Sequence, residues 1–290
     1  MKLQGTGVAL VTPFNENGSV DENGLRKLVD YQIENGTNFL VVQGSTGEAA
    51  TLTASEKELT LKIVIEQNKG RLPIVLGLAS NNTAELVEAY KNIDATGIDA
   101  FLCASPHYNK PSQRGIIAHF TALAKVAQRP IILYNVPGRT SSNMTAATTL
   151  ELAKVDNIIG IKEASGNIEQ VMDILKDRPK DFAVVSGEDA LTMPLMAMGA
   201  DGVISVVANG LPKTYSSMVD AMLQGNIETA QKLHFSMLDI TKSFFAEGNP
   251  SGIKCCLDLL DICRDYVRLP LTSVSKELRL RMENELKKFK

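Results

Sequence analysis

The sequence predicts an α/β protein, a (β/α)₈ TIM barrel with a C-terminal helical extension, from three observations. Eight short apolar runs of strand type alternate with segments of helical periodicity along the chain. The runs are apolar at almost every position, which indicates strands buried on both faces of a parallel sheet. Polar side chains follow the runs directly, at the strand ends where barrels of this type carry their functional sites.

The predicted strands are all short and apolar. In chain order they are Val8–Thr12, Phe39–Gln43, Ile74–Leu78, Ala100–Ala104, Ile131–Tyr134, Ile158–Lys162, Ala183–Ser186 and Val203–Val206. Two of the helices between them have clear start signals. Thr53 and Asn82 each supply a capping oxygen, and each precedes a glutamate by three residues, Glu56 and Glu85.

A doubly wound open sheet is the alternative arrangement of strand–helix units, and it would carry a glycine-rich phosphate-binding turn after its first strand. The only comparable glycines, in Gly5-Thr6-Gly7, precede the first predicted strand, and no third glycine follows at the required spacing. Eight strand–helix units in succession therefore favour the closed barrel.

Helical periodicity continues without strands after the eighth unit, so we divide the chain into a barrel domain, 1–224, and a helical extension, 225–290. The first helix of the extension carries an apolar stripe at three- and four-residue spacings: Ile227, Ala230, His234, Met237, Thr241 and Phe244. Asn249-Pro250 interrupts this pattern, Ile253–Cys263 resumes it, and Ser273–Lys290 forms a last, charged helix.

The composition argues against nucleic acid and membrane partners. The formal net charge of the 290 residues is −3, from 30 basic and 33 acidic side chains. No basic leader region is evident, and no stretch approaches the roughly 18 apolar residues that cross a bilayer. We therefore expect a cytoplasmic protein. Its four cysteines, Cys103, Cys255, Cys256 and Cys263, have neither disulfide nor metal-ligand spacing and fit core packing.

Lys162 is the most informative residue, because it stands in the strand-like run Ile158–Ala164. An unpaired ammonium is costly to bury, so a buried lysine tends to lose its proton. The neutral amine is a nucleophile that forms a Schiff base with a ketone. The alternative is a lysine that reaches solvent or pairs with a carboxylate such as Glu163 and has no chemical role.

Other polar residues follow neighbouring strands. The amides of Ser45 and Thr46, flanked by glycines, are arranged to hold a small anion, although an ordinary turn would have the same composition. Tyr134 could shuttle a proton, in a relay with Ser45 and Tyr108, or be a packed ring. Arg139 should be exposed at the barrel mouth, where it suits a substrate carboxylate or a surface ion pair.

Three motifs stand after predicted strands two, five and six: Gly44-Ser45-Thr46-Gly47-Glu48, Tyr134-Asn135-Val136-Pro137-Gly138-Arg139-Thr140 and Gly160-Ile161-Lys162-Glu163-Ala164-Ser165-Gly166. Together they resemble the pyruvate-dependent class I aldolases related to N-acetylneuraminate lyase, and the resemblance covers essentially the whole chain. The set is most similar to the synthase branch of this family, which condenses pyruvate with L-aspartate 4-semialdehyde on the route to diaminopimelate and lysine.

The resemblance implies a lyase without metal or organic cofactor. Lys162 would form the Schiff base with pyruvate, and the amides of Ser45 and Thr46 would hold the pyruvate carboxylate. Tyr134 would be the general acid/base, in a relay with the Ser45 hydroxyl and with Tyr108. In the family this last tyrosine reaches the site of a neighbouring subunit, and the expected assembly is a homotetramer built as a dimer of dimers.

For the second substrate, the resemblance implies that Arg139 binds the carboxylate of the semialdehyde, with Gly187 and Ile204 lining the pocket. Ser45 departs from the usual synthase pattern, since threonine is common there and serine is typical of the sialic-acid lyases. Both carry the hydroxyl that the relay needs. An N-acetylneuraminate or 2-keto-3-deoxy sugar acid aldolase is therefore an alternative enzyme, and a barrel that only binds a keto acid is a non-enzymatic one.

The family also has an allosteric lysine cleft, whose positions here are Ala49, Lys57, Asn81, Glu85 and His107. Asn81 and Glu85 match the pattern of that cleft. Lysine-inhibited relatives tend to have histidine or glutamate in place of Lys57 and tyrosine in place of His107. A cationic Lys57 would repel the ammonium of bound lysine, so we expect weak or absent feedback inhibition.

Overall fold

A computed structural model describes residues 2–289, and its strands form a closed barrel in which neighbours in the chain are neighbours in the sheet. The strands are β1 (Gly5–Ala9), β2 (Phe39–Val42), β3 (Ile74–Gly77), β4 (Ala100–Ala104), β5 (Ile131–Asn135), β6 (Ile158–Glu163), β7 (Ala183–Ser186) and β8 (Gly202–Ser205). Pairing is parallel, and between β5 and β6 it places Tyr134 opposite Lys162. The predicted barrel is confirmed.

Helices connect the strands and continue beyond β8. They are α1 (Glu22–Glu34), α2 (Ala54–Asn68), α3 (Thr83–Asn92), α4 (Gln113–Ala124), α5 (Pro137–Thr140), α6 (Ala146–Leu152), α7 (Ile168–Asp177), α8 (Thr192–Ala197), α9 (Pro212–Leu223), α10 (Ile227–Phe245), α11 (Ser251–Leu259) and α12 (Lys276–Leu286). None of these helices, within residues 2–289, is long and apolar enough to cross a membrane.

Both predicted helix caps are present. Thr53 and Glu56 form a capping box at α2, in which the Glu56 amide donates to Thr53 Oγ1 at 3.3 Å and the Thr53 amide donates to Glu56 Oε2 at 2.9 Å. At α3 the Asn82 side chain accepts from the Glu85 amide at 3.4 Å. These bonds satisfy amides that have no partner inside the helix, which fixes where each helix begins.

The first strand was predicted at Val8–Thr12, and that prediction is wrong by three residues, since β1 runs from Gly5 to Ala9. Gly5 and Gly7 were predicted to precede the strand, and glycine is indeed unfavourable inside most strands. The structure shows why Gly7 is there: a Cβ at this position would overlap the ring of Phe39 on β2. Glycine is the residue that allows this close approach.

The chain forms two compact units. One comprises the residues up to Gly5 together with Pro73–Ile204, and in its core the rings of Tyr90 and Phe101 meet edge to face at 4.7 Å. The other comprises Thr6–Leu72 together with the chain from Ser205 onward. The predicted division at residue 224 falls between α9 and α10 and stays a prediction.

The predicted stripe on α10 is buried at all of its positions but the first. Ile227 is exposed, because it is the first residue of the helix, directly after the Asn226 cap. The four cysteines are free thiols in buried positions, as predicted. Burial raises the pKa of the Cys103 thiol to about 12, which keeps it protonated and unreactive.

Candidate active site

Lys162 is buried near the end of β6, with only 5% of its surface exposed. Its Nζ lies 4.5 Å from the centroid of the Tyr134 ring on β5. The two residues are direct partners in the parallel register, so their side chains project from the same face of the sheet. The amine therefore faces a phenol ring in the same unit of the chain.

Glu163, the next residue, projects from the opposite face and does not pair with Lys162. Its carboxylate accepts from Asn135 Nδ2 at 3.0 Å, from Gln170 Nε2 at 3.2 Å and from the Ser165 amide at 2.7 Å. The alternative in which Glu163 neutralises Lys162 is therefore wrong. Sequence reasoning missed this network, although a carboxylate directly after Lys162 and an amide directly after Tyr134 were signals of it.

Gly187, after β7, leaves the space that the Lys162 side chain occupies. Its amide donates to the Glu163 carbonyl at 2.7 Å. A Cβ at this position would lie 2.5 Å from the Ala164 Cβ and 3.0 Å from Lys162 Cε. Any other residue would therefore push against the lysine. Ile204 is fully buried in the neighbouring strand β8.

Glu188, two residues after β7, adds a carboxyl group that interacts electrostatically with Lys162 and Arg139. Burial raises the pKa of Glu188, and the nearby Asp189 raises it further, while Lys162 and Arg139 oppose the shift. Glu188 follows the predicted strand Ala183–Ser186 by two residues, and no role was predicted for it. Carboxyl groups with shifted pKa values cluster at functional sites. The raised pKa of Glu188 and its interaction with two cations therefore suit a residue of the candidate site.

Arg139 and Tyr108 are both exposed. For Arg139, exposure was predicted from its place at the barrel mouth. Arg139 belongs to the one-turn helix α5 that directly follows β5. Tyr108 has 85% of its surface exposed, and its amide donates to the Thr140 carbonyl at 3.3 Å. Its φ of +69° is unusual for a residue with a Cβ, so the backbone here is held in an uncommon conformation.

The Ser45–Thr46 turn lies in the other unit. It is a 3₁₀ turn, Ser45–Gly47, in which the Gly47 amide donates to Gly44 O at 3.0 Å and the Glu48 amide donates to Ser45 O at 3.1 Å. Within 6–72 and 205–289, the described part of this unit, the amides of Ser45 and Thr46 donate to no acceptor. Thr46 is buried and Ser45 is exposed.

The positions of the predicted lysine cleft are divided between the units. Ala49 and Lys57 belong to the unit with the Ser45–Thr46 turn, and Lys57 is exposed on α2. The other three, Asn81, Glu85 and His107, belong to the unit with Lys162 and are all exposed.

A closed parallel barrel with a buried strand lysine against a phenol is an arrangement suited to Schiff-base chemistry, in which the protein supplies its own nucleophile and proton carrier. The fold and the site thus define a lyase-type (β/α)₈-barrel enzyme. The model of the dihydrodipicolinate synthetase family matches residues 2–289, and the chain belongs to that family.

Curated and solved relatives agree with this assignment. The 4-hydroxy-tetrahydrodipicolinate synthase of Phocaeicola vulgatus is 49% identical over 290 residues, which cover 99% of this chain and 98% of that protein. The chloride-inhibited dihydrodipicolinate synthase of Acinetobacter baumannii, solved in complex with pyruvate, is 38% identical with a TM-score of 0.95 and covers 98% of each chain. The DHDPS of Cyanidioschyzon merolae, solved with lysine bound, is 39% identical with a TM-score of 0.94, covering 98% of this chain and 97% of that one.

The family predicted from the three motifs is therefore confirmed. The chain is a lyase-type enzyme with 4-hydroxy-tetrahydrodipicolinate synthase activity, and it acts in lysine and diaminopimelate biosynthesis.

Proposed function

We propose that the enzyme binds pyruvate as a Schiff base on Lys162 and condenses it with L-aspartate 4-semialdehyde. The observation that carries this proposal is the buried Lys162 amine, 4.5 Å from the Tyr134 ring at the end of a barrel strand. A member of the same family has been solved with pyruvate bound, which supports a two-oxo acid as the first substrate.

The Lys162 amine attacks C2 of pyruvate, and the carbonyl oxygen leaves as water after it receives one proton from the attacking nitrogen and one from the Tyr134 hydroxyl. The resulting iminium withdraws electrons, so the pyruvate methyl group loses a proton to the Tyr134 phenolate and an enamine forms. The enamine carbon attacks the aldehyde carbon of the second substrate, and Tyr134 gives its proton to the aldehyde oxygen. The amino group of that substrate then attacks C2, closes the ring and releases the Lys162 amine.

The other predicted site residues have separate roles in this proposal. The amides of Ser45 and Thr46 hold the pyruvate carboxylate, and the support is that neither amide has an acceptor among the described residues of its own unit. Arg139 binds the carboxylate of the semialdehyde, supported by its exposed position directly after β5. Gly187 and Ile204 line the pocket, and the Ser45 hydroxyl relays protons to Tyr134.

Tyr108 completes the relay of a neighbouring subunit in a homotetramer built as a dimer of dimers. Its 85% exposure within one chain supports a partner outside that chain. Mixing Lys162→Ala chains with Tyr108→Phe chains should restore activity, since one site of each mixed dimer then has both groups. The absence of complementation, with a dimer present by light scattering, would remove this role from Tyr108.

The decisive experiment is incubation with pyruvate and borohydride, followed by mass mapping of the modified peptide. We expect a reduced pyruvate adduct on Lys162 and none in Lys162→Ala, while Lys154→Ala, at an exposed lysine, keeps the adduct. A protein that binds pyruvate without a covalent adduct would be a binding module. Turnover assays with the semialdehyde, N-acetylneuraminate and 2-keto-3-deoxygluconate distinguish the synthase from the sugar acid aldolases.

Lysine is at most a weak feedback inhibitor in this proposal, because Lys57 places a cation in the predicted cleft of Ala49, Asn81, Glu85 and His107. A lysine titration should show no inhibition at submillimolar concentrations, and Lys57→Glu should increase sensitivity. The matched control is Lys62→Glu, at another exposed position of α2. Submillimolar inhibition of the wild-type enzyme would contradict the proposal.

The cytoplasm is the proposed location, and the support is the four free, buried thiols, which suit a reducing compartment. Fractionation of cells with an antibody against the protein is the test. Recovery in an extracellular or envelope fraction would contradict it.

A further inference from the structure

Lys254 is a second buried lysine, distant in sequence from the proposed active site. It lies on α11, is fully buried, and its Nζ donates to Glu48 Oε1 at 2.6 Å and to the Tyr266 carbonyl at 2.8 Å. The same ammonium lies 4.1 Å from the centroid of the Phe14 ring. Lys254 and Glu48 are separated by 206 residues in the sequence, so this ion pair joins the helical extension to the loop after β2.

Glu48 ends the Ser45–Thr46 turn, and both oxygens of its carboxylate accept hydrogen bonds. Its second oxygen accepts from the Arg268 amide at 3.0 Å, and the residue is 3% exposed. Its φ of +53° is unfavourable for a residue with a Cβ, so the surrounding contacts hold the backbone in this conformation. The Glu48 amide in turn closes the turn on Ser45 O at 3.1 Å.

Two further bonds hold the same turn. Asn249 Nδ2, just before α11, donates to Thr46 Oγ1 at 2.9 Å. Thr12 Oγ1 donates to the Gly47 carbonyl at 2.7 Å. Each residue from Thr46 to Glu48 therefore has a hydrogen-bond partner outside the turn, through its side chain or its carbonyl group. The partners of the Thr46 and Glu48 side chains lie in the part of the chain that follows β8.

Stability alone is a weak reason for such a buried ion pair, because desolvation of both charges offsets most of their attraction. We propose that Glu48, Lys254 and Asn249 are positioning residues that orient the amides of Ser45 and Thr46 toward the carboxylate of the two-oxo acid. This inference rests on the proposed function and adds to it a role for the helical extension. The extension acts by fixing the direction of two N–H groups, on which anion binding depends.

The test compares two variants with a control on the same helix. Glu48→Gln/Lys254→Met replaces the ion pair by neutral side chains of similar length and strands no charge, and Asn249→Ala removes only the donor to Thr46. Asp258→Asn/Arg279→Met removes other ionic contacts of α11, in which Arg279 Nη2 lies 2.5 Å from Asp258 Oδ2 and Arg279 Nη1 lies 3.3 Å from Asp265 Oδ2. Among the described residues, no hydrogen bond or ion pair joins Asp258 or Arg279 to the turn. The readouts are the pyruvate concentration for half-maximal borohydride adduct, the KM of each substrate, and the melting temperature.

We expect both test variants to need about tenfold more pyruvate for half-maximal adduct, with the KM of the semialdehyde unchanged. The control should keep the wild-type requirement for pyruvate, even with a lower melting temperature. Should the double variant fail to fold, Asn249→Ala decides the question. Folded variants with the wild-type pyruvate requirement, or with equal increases in both KM values, overturn the inference. A wild-type enzyme that forms no adduct would contradict the proposed function itself, which is a different result from an unchanged pyruvate requirement in the variants.

Discussion

Tyr134 and Lys162 are direct partners across two parallel strands, and the Lys162 amine lies 4.5 Å from the centre of the Tyr134 ring. Two adjacent barrel strands therefore bring a nucleophile and a proton carrier together without any contribution from a flexible loop. Behind them, the next residues of both strands, Asn135 and Glu163, are joined by a 3.0 Å hydrogen bond that holds the same register from the other face.

Tyr134→Phe should keep the ring beside Lys162 and remove only the hydroxyl group, with its exchangeable proton. We expect kcat to fall by roughly 10²- to 10⁴-fold, the usual contribution of a general acid/base, with the melting temperature nearly unchanged. The control is Tyr90→Phe, which removes a 2.9 Å hydrogen bond to the Leu78 carbonyl and should affect stability but not kcat. Wild-type turnover by Tyr134→Phe would assign proton transfer to another group.

Arg139→Ala should weaken the binding of the semialdehyde more than the binding of pyruvate. Loss of a charge-assisted hydrogen bond costs about 1.5–3 kcal/mol, or about 10- to 100-fold in the KM of the semialdehyde. The half-saturating concentration of pyruvate in the borohydride assay should change much less. Arg114→Ala, at an exposed arginine of α4, is the control. An equal change for both substrates would remove the proposed role of Arg139.

Gly187→Ala should disturb Lys162 directly, because the new methyl group would lie 2.5 Å from the Ala164 Cβ and 3.0 Å from Lys162 Cε. Relief of this overlap moves the lysine, and we expect a loss of about tenfold or more in adduct formation. Gly115→Ala on α4 is the control, since the nearest atom to its Cβ is 3.4 Å away. A wild-type rate in Gly187→Ala would show that the lysine tolerates displacement.

His119 should make stability depend on pH. Burial lowers its pKa from 6.5 to about 4, so the unfolded chain takes up a proton below pH 6.5 while the folded chain remains neutral. Stability therefore falls as the pH decreases from 6.5 to about 4, by about 3 kcal/mol at most. The imidazole Nδ1 lies 2.9 Å from Thr83 Oγ1, an arrangement that a glutamine amide can mimic.

Urea unfolding of the wild type and of His119→Gln, at neutral pH and near pH 4.5, measures this contribution. The wild type should lose more unfolding free energy than the variant on acidification. Parallel losses in the two proteins would show that the histidine is not responsible.

Much of this protein was predictable from local patterns. Short apolar runs alternating with helical periodicity predicted the barrel, and the lysine inside the run Ile158–Ala164 predicted the buried amine of Lys162. The Thr53 capping box was predictable because its two partners are three residues apart. Each of these features depends on a spacing of a few residues, which the sequence displays directly.

Tertiary structure decided the features that depend on which distant residues meet. The start of β1 was mispredicted because the need for Gly7 becomes visible only when Phe39 lies beside it. The pairing of Lys254 with Glu48 joins residues 206 positions apart. The residues next to each of them in the sequence would be equally compatible with a charge exposed to solvent. Local periodicity specifies which face of an element is buried, whereas only the folded chain determines which charges are buried together and must neutralise each other.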